Sequence, residues 1–329
     1  MNLEWAARLA RRLTEADGRS FHRAETLCQD VSAVNDSTRA TTDWPGLAAA
    51  LVTIGLWSSA FVGIRAAGED ISPGPLAFGR LIIGAVLLGA LALVRRGALP
   101  KGRDWLLVIG TGVIWFAGYN LSLNAAEQVV DAGTAAMLVF IGPLLVILLA
   151  GVFLGEGFPR RVVVGALVAF TGIATIGLAV ASAQGAGTNP LWGILLCLVA
   201  ASCAAIGVTL EKPVLERVSA LNVTAVAMAV GALATAPFAP GLVTELGAAS
   251  PDSVAWIVYL GVFPTSVAFT TWAWALGRTT AGRLATTMYL IPPTTILLAW
   301  VILGEVPPLV AIAGGVLSIG GVVIAQSRA

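Results

Sequence analysis

Charge is what this sequence has least of. Only 11% of its residues are Asp, Glu, Lys or Arg, against about 25% in soluble globular domains. It has one histidine, His22, and three cysteines. Cys28, Cys197 and Cys203 show neither metal-ligand nor redox spacing. Cys197 and Cys203 share one apolar block, where a thiol behaves as a small hydrophobe. No metal-ligand cluster, Ser/His pair or phosphate-binding loop is present, so the sequence predicts no enzyme, no cofactor and no metal. A net charge of +1 offers nothing to nucleic acid.

What the sequence has in abundance is apolar length. It is 57% hydrophobic with a mean hydropathy of +0.89. The apolar residues fall in blocks of roughly 20, each long enough to cross a ~30 Å hydrocarbon core. Ten spans are predicted, at 46–66, 75–94, 105–125, 132–154, 161–181, 190–209, 221–242, 254–276, 282–303 and 308–326. This is an all-α integral membrane protein whose surroundings are the lipid bilayer. Residues 1–43 stand apart as a polar tail with six arginines and no apolar run, and without the apolar core or cleavage site of a signal peptide. The opening MNLEWAARLARRL reads either as a short amphipathic helix on an anionic leaflet or as a disordered tail.

The spans are duplicated. AGTAAMLVFIGPLLVILLAGVFLGE at 132–156 returns as AGRLATTMYLIPPTTILLAWVILGE at 281–305, displaced by 149 positions without a gap. Nearly half the positions are identical, including Pro143/Pro292 and the closing Leu154-Gly155-Glu156 and Leu303-Gly304-Glu305. The register continues through Pro159/Pro308, Gly165/Gly314 and Gly172/Gly321, so the match is a true internal repeat. The first repeat occupies 44–183 and the second 184–326, with a Gly/Thr/Asn/Pro seam at 185–190.

Orientation follows from the positive charges. With the N-terminus inside, 17 of the 19 Lys and Arg residues fall on the cytoplasmic side. Arg65 alone falls outside, and Arg80 lies within the second span. Both termini are therefore expected in the cytoplasm of a cell whose inner or plasma membrane holds the chain. Each repeat has five spans, an odd number, so the halves enter the membrane from opposite sides. Inverted repeats of this kind are a signature of transporters, because two related halves can pack in two exchanged ways around a central site.

Trp57-Ser58-Ser59-Ala60-Phe61, Phe78-Gly79-Arg80, and Asp131-Ala132-Gly133 with Pro143 and Leu-Gly-Glu, together with the glycines of the fifth span, carry a family likeness. Over about 46–326 the chain resembles the EamA family of the drug/metabolite transporter superfamily. The resemblance implies ten helices and transport, often export, of amino acids and other small metabolites. Importers, drug antiporters and nucleotide-sugar-like antiporters remain alternatives to an exporter. The second half departs from the pattern at Ile206-Gly207-Val208, which lacks the tryptophan, and at Ala229, opposite Arg80.

Arg80 is the one formal charge well inside a span. An intramembrane charge is costly and rare. It either faces a central cavity and holds an anionic group of the small-molecule substrate, or clamps onto Asp70, Glu69 or a helix-end carbonyl. Trp115, Tyr119 and Ser122 share one helix face, with Asn120 and Asn124 adjoining, and the repeat places Pro264, Ala268 and Thr271 in the matching positions. Met137 and Phe140 align with Thr286 and Tyr289. Trp57, Arg80, Tyr119, Asn120, Met137, Phe140, Thr271, Thr286 and Tyr289 are thus the candidate substrate-binding residues, the bland reading being packing between helices. Pro143, Pro292 and Pro293 interrupt their helices near mid-membrane and are candidate hinges. Glu156 and Glu305 are expected to contact neighbouring helix ends. With no Asp, Glu or His at the centre of a span, the sequence points to gradient-driven movement or exchange rather than a carboxylate proton relay. The oligomeric state is left open.

Overall fold

The computed structural model describes residues 44–142, 144–145, 160–183, 190–276 and 288–326. The tail at 1–43, Pro143, Glu156 and Thr286 lie outside the described residues. Among the described residues every regular element is helical. The helices are α1 (Trp44–Ala67), α2 (Pro73–Arg95), α3 (Asp104–Ala126), α4 (Ala132–Val139) and α5 (Arg160–Ala183). After the seam come α6 (Pro190–Leu215), α7 (Ala220–Leu246), α8 (Pro251–Trp272), α9 (Met288–Leu303) and α10 (Leu309–Gln326). Six of them (α1, α2, α3, α6, α7 and α8) are long and apolar enough to cross a membrane, and α5, α9 and α10 contain shorter apolar stretches.

The helix ends follow from local chemistry. Ser72, Asp131, Ser219 and Ser250 hold extended backbone at the N-caps of α2, α4, α7 and α8, and the side chains of Asp131, Ser219 and Ser250 accept from an N–H of the first turn. Asp131 accepts from the Thr134 backbone N–H at 2.8 Å. Pro73 and Pro251 occupy first-turn positions, where a missing N–H costs nothing. The second Leu-Gly-Glu, at 303–305, is a helix stop. Gly304 adopts φ +70°, which a side chain would strain, and the chain turns back so that the Gly304 and Glu305 N–H groups reach the Trp300 and Ala299 carbonyls.

The duplication extends to backbone detail. Wide π-helical turns interrupt α3 at Gly112–Tyr119 and α8 at Gly261–Val267, and their starts are displaced by the same 149 residues as the repeat. Such turns are rare and frequent at functional sites. The mates α2 and α7 run antiparallel. At the start of α2, Ser72 donates to Glu245 at the end of α7 through N–H (2.8 Å) and Oγ (2.7 Å). At the far end of α2, Asn222 in the first turn of α7 donates to the Ala98 carbonyl at 2.7 Å. Loop contacts are exchanged in the same way. Asp70, before α2, accepts from Ser250 and Ser253 at the start of α8, and Asp104, at the start of α3, accepts from Arg217 before α7.

Within a bilayer, apolar burial does not drive helices together; close packing through small residues does. The α5–α10 contact is self-complementary. Gly172 faces Gly314, whose carbonyl would lie 2.5 Å from an added Cβ, and Gly321 faces Gly165 at the same distance. Because Gly165/Gly314 and Gly172/Gly321 are repeat mates, the two contacts are one contact used twice. Gly315 receives Met137, whereas Gly320 faces open space.

Candidate functional site

Arg80 sits seven residues into α2, about 10 Å from its start. It is 7% exposed, and its Nε and Nη1 have no hydrogen-bond partner. The clamp onto Asp70 does not form: that carboxylate accepts from the Ser250 N–H (2.9 Å), Ser250 Oγ (2.6 Å) and Ser253 Oγ (2.8 Å). Glu69 is exposed.

Glu127 was not singled out by the sequence, because it follows the last apolar residue of α3 and reads as loop. It is 1% exposed, with both carboxylate oxygens unpartnered. It completes a stripe on α3 with Asn120 and Asn124, at helical spacings of four and three that place them on one face. Asn120 Nδ2 donates to the Phe116 carbonyl at 2.6 Å, and Asn124 Nδ2 to the Pro73 carbonyl at the head of α2 at 3.2 Å. The Oδ1 atoms of both are buried and unpartnered. Buried polar groups are normally satisfied, so four neighbouring side chains with unmet atoms require an explanation. That spacing was the signal available in the sequence.

Toward the helix ends this cluster is closed by Arg65 in the last turn of α1. Its Nε pairs with Glu305 at 2.9 Å, and its Nη1 donates to the Glu127 carbonyl at 2.6 Å. The expected contact of Glu305 with a neighbouring helix end is thus made to α1.

A second, aromatic sector joins α1, α3 and α8. Trp57 contacts Phe269 and Trp272 at centroid distances of 5.4 and 5.5 Å, and Trp115 contacts Phe269 at 6.0 Å. Trp57 Nε1 donates to the Pro264 carbonyl, inside the π turn of α8, at 3.1 Å. The Thr53 and Thr271 hydroxyls meet at 2.8 Å, which joins α1 to α8 below Trp57. Trp115 fills the space that a Cβ of Gly207 would need, so the second-half glycine makes room for a first-half ring.

The candidate residues therefore divide. Arg80 and Asn120 share deep burial and unpartnered atoms with Glu127, Tyr119 is partly buried against the main apolar cluster, and Trp57 and Thr271 belong to the aromatic sector. Met137 is buried against Gly315 of α10. Phe140 and Tyr289 are partly buried against the main apolar cluster. Pro292 is buried in the first turn of the helical run Ile291–Leu303, directly after a tight 3₁₀ turn at Met288–Leu290, and Pro293 is exposed. Ser58 Oγ donates to the Ile291 carbonyl at 3.3 Å and Thr295 Oγ1 to the Ser58 carbonyl at 3.4 Å, a polar stitch that the sequence did not single out.

Residues 44–178 and 191–326 each match the EamA-like transporter family. The chain is 34% identical over 280 residues to a protein of Streptantibioticus cattleyicolor described as a "Probable terminal-alkyne amino-acid exporter", covering 85% of this chain and 93% of that one. It is 32% identical to the uncharacterized transporter YdfC of Bacillus subtilis, over 82% of this chain and 87% of that one. A crystal structure with 21% sequence identity superposes with a TM-score of 0.58, covering 85% of this chain and 96% of that chain, a likeness of fold.

Proposed function

Because the chain belongs to the EamA-like transporter family, we propose that it exports an amino acid or a related small metabolite by alternating access. In this reading ten helices span the membrane as two inverted halves, with both termini cytoplasmic. Antiparallel packing of the mates α2 and α7 supports the inversion, and the bias of Lys and Arg to one side supports the orientation. Export of an amino acid is what the name of the Streptantibioticus relative suggests.

The observation that carries the reading is Arg80. A guanidinium this buried, with two nitrogens unpartnered, is an unmet demand for an anionic group. A bound carboxylate meets that demand bidentately. The exchanged loop contacts and the paired π turns give the two halves equivalent elements to move against one another.

Flux in proteoliposomes tests it. Vesicles are loaded with labelled amino acids, sugars and organic cations, with and without a pH gradient, and wild type is compared with Arg80→Ala. Flux of one solute class that is abolished in the variant is expected. A correctly folded Arg80→Ala protein that transports at the wild-type rate would remove Arg80 from the site.

A further inference from the structure

We infer that the end of α3 holds a monovalent metal cation between Glu127 and Asn124, with the Asn120 oxygen one turn further along. The cation is the coupling ion of transport; that role rests on the transport reading above, whereas the site does not.

The unmet atoms of this stripe are all acceptors. Asn120 Nδ2 donates to the Phe116 carbonyl at 2.6 Å, and Asn124 Nδ2 to the Pro73 carbonyl at 3.2 Å. Each amide nitrogen is thereby committed, and each Oδ1 is the end left over. Those two oxygens and both carboxylate oxygens of Glu127 are buried without a hydrogen-bond partner. Asn120, Asn124 and Glu127 are only 6%, 1% and 1% exposed, so bulk water does not serve them. An acceptor is satisfied by a donor or a cation, never by another acceptor.

Helical register brings the oxygens together. The Glu127 N–H bonds the Leu123 carbonyl at 3.0 Å, so its side chain continues the helix one turn beyond Asn124. Residues three or four apart on a helix have Cβ atoms about 5–6 Å apart, close enough for two side chains to close on one ion. Asn120 stands roughly 10 Å from Glu127 along the axis and cannot share that ion, but it offers the next oxygen on the same face.

One carboxylate sets the charge. Oxygen donors suit hard cations, and a single carboxylate balances a single positive charge; a divalent ion would leave a net charge buried. The charged groups at this end of α3 do not supply the balance. Arg65 on α1 spends its Nε on Glu305, beyond α9, and its Nη1 on the Glu127 backbone carbonyl. Asp131, before α4, is an acid whose two oxygens accept from the Thr134 N–H and hydroxyl at 2.8 and 2.7 Å. Arg80 on α2 hydrogen-bonds none of the four oxygens. A proton on Glu127 supplies one donor and leaves the other carboxyl oxygen and one amide oxygen unmet.

This end of α3 meets the head of α2 and the last turn of α1, which the proposed orientation puts outside. A cation that enters there and leaves to the cytoplasm drives solute the opposite way.

Binding is tested on the purified full chain in detergent, with no solute added. Unfolding is followed in sodium, lithium, potassium or choline chloride at equal ionic strength, with calcium chloride as the divalent probe. At least one of the three monovalent metal ions should raise the midpoint saturably, by about 2 °C or more over choline. Glu127→Gln should lose this response, Glu127→Asp should keep part of it, and Asn124→Ala should need at least about tenfold more cation. Equal midpoints in all five salts overturn the site without any variant. So does a response to calcium alone, or a midpoint that follows pH and ignores the cation, which makes Glu127 a protonated carboxyl. A full cation response in Glu127→Gln also overturns it.

Proteoliposomes then separate the site from the transport reading. A gradient of the stabilising cation should speed counter-directed solute flux several-fold in wild type and not in Glu127→Gln. Flux indifferent to that gradient overturns the coupling role. Cation binding without flux of any solute keeps the site and removes the transport reading.

Discussion

Arg65 of the first half and Glu305 of the second share a 2.9 Å ion pair, and the same guanidinium donates at 2.6 Å to the Glu127 carbonyl. One side chain thereby ties together the ends of α1, α3 and α9. Removing each partner should have unequal effects. Glu305→Gln loses one partly exposed pair, about 1 kcal/mol or less. Arg65→Ala loses both bonds and takes a positive neighbour from buried Glu127, about 2–3 kcal/mol. Thermal unfolding in detergent micelles measures both, and equal losses would contradict the shared role of Arg65.

The α5–α10 seam is a test of packing without hydrophobic drive. A Cβ at Gly172 would lie 2.5 Å from both the Gly314 carbonyl oxygen and the Ser318 nitrogen, which are backbone atoms that cannot rotate away. Gly172→Ala is expected to cost about 1–3 kcal/mol by forcing the helices apart. Gly320→Ala, with nothing within 4 Å, should be neutral or slightly stabilising. The difference in unfolding midpoint between the two variants decides the point.

Asp70 gives the stability a pH dependence on the loop side. Its hydrogen bonds from Ser250, and then from Ser253, hold its carboxyl below the ordinary value of 3.8. A depressed pKa contributes stability that is complete above the unfolded value and disappears as pH falls through the folded one. The gap in melting temperature between wild type and Asp70→Asn should therefore stay constant from about pH 8 to pH 5 and close below about pH 4. A gap that does not narrow at all as pH falls below that point would assign it to packing instead.

Trp57 links the aromatic sector to the π turn of α8 through its 3.1 Å bond to the Pro264 carbonyl. Trp57→Phe keeps the ring but removes the donor, and should lower stability by about 1–2 kcal/mol. Unchanged unfolding would show that the bond contributes nothing net.

Pro292 stands where α9 changes from a 3₁₀ turn to α-helix. If this joint flexes during transport, Pro292→Ala should slow flux several-fold while changing stability by less than about 1 kcal/mol, since a first-turn proline leaves no intrahelical bond unmade. Wild-type flux in this variant would remove the hinge role.

Much of this was legible in the sequence because the signals are one-dimensional. Hydropathy marks the apolar helices, and the 149-residue displacement marks the duplication. The repeat placed Trp115 opposite Pro264, and both fall inside π turns. Arg80 stood out because charge is scarce in apolar segments. The buried Glu127 did not. Asp70 was the near neighbour in sequence, but its oxygens go to serines 180 and 183 residues away. Met137, aligned with polar Thr286 in the repeat, packs onto Gly315 of α10, a contact that no local pattern announces.

The sequence by itself determined a duplicated, helical membrane chain of a transporter family, because length, periodicity and internal identity need no knowledge of which helices touch. Only the tertiary structure decided that Glu127, outside every apolar run, is buried and that Arg65 bonds to its carbonyl and to Glu305. Burial at a helix end depends on what the neighbouring helices cover. Here α1, α2 and α9 converge on the end of α3 from positions that no local pattern encodes.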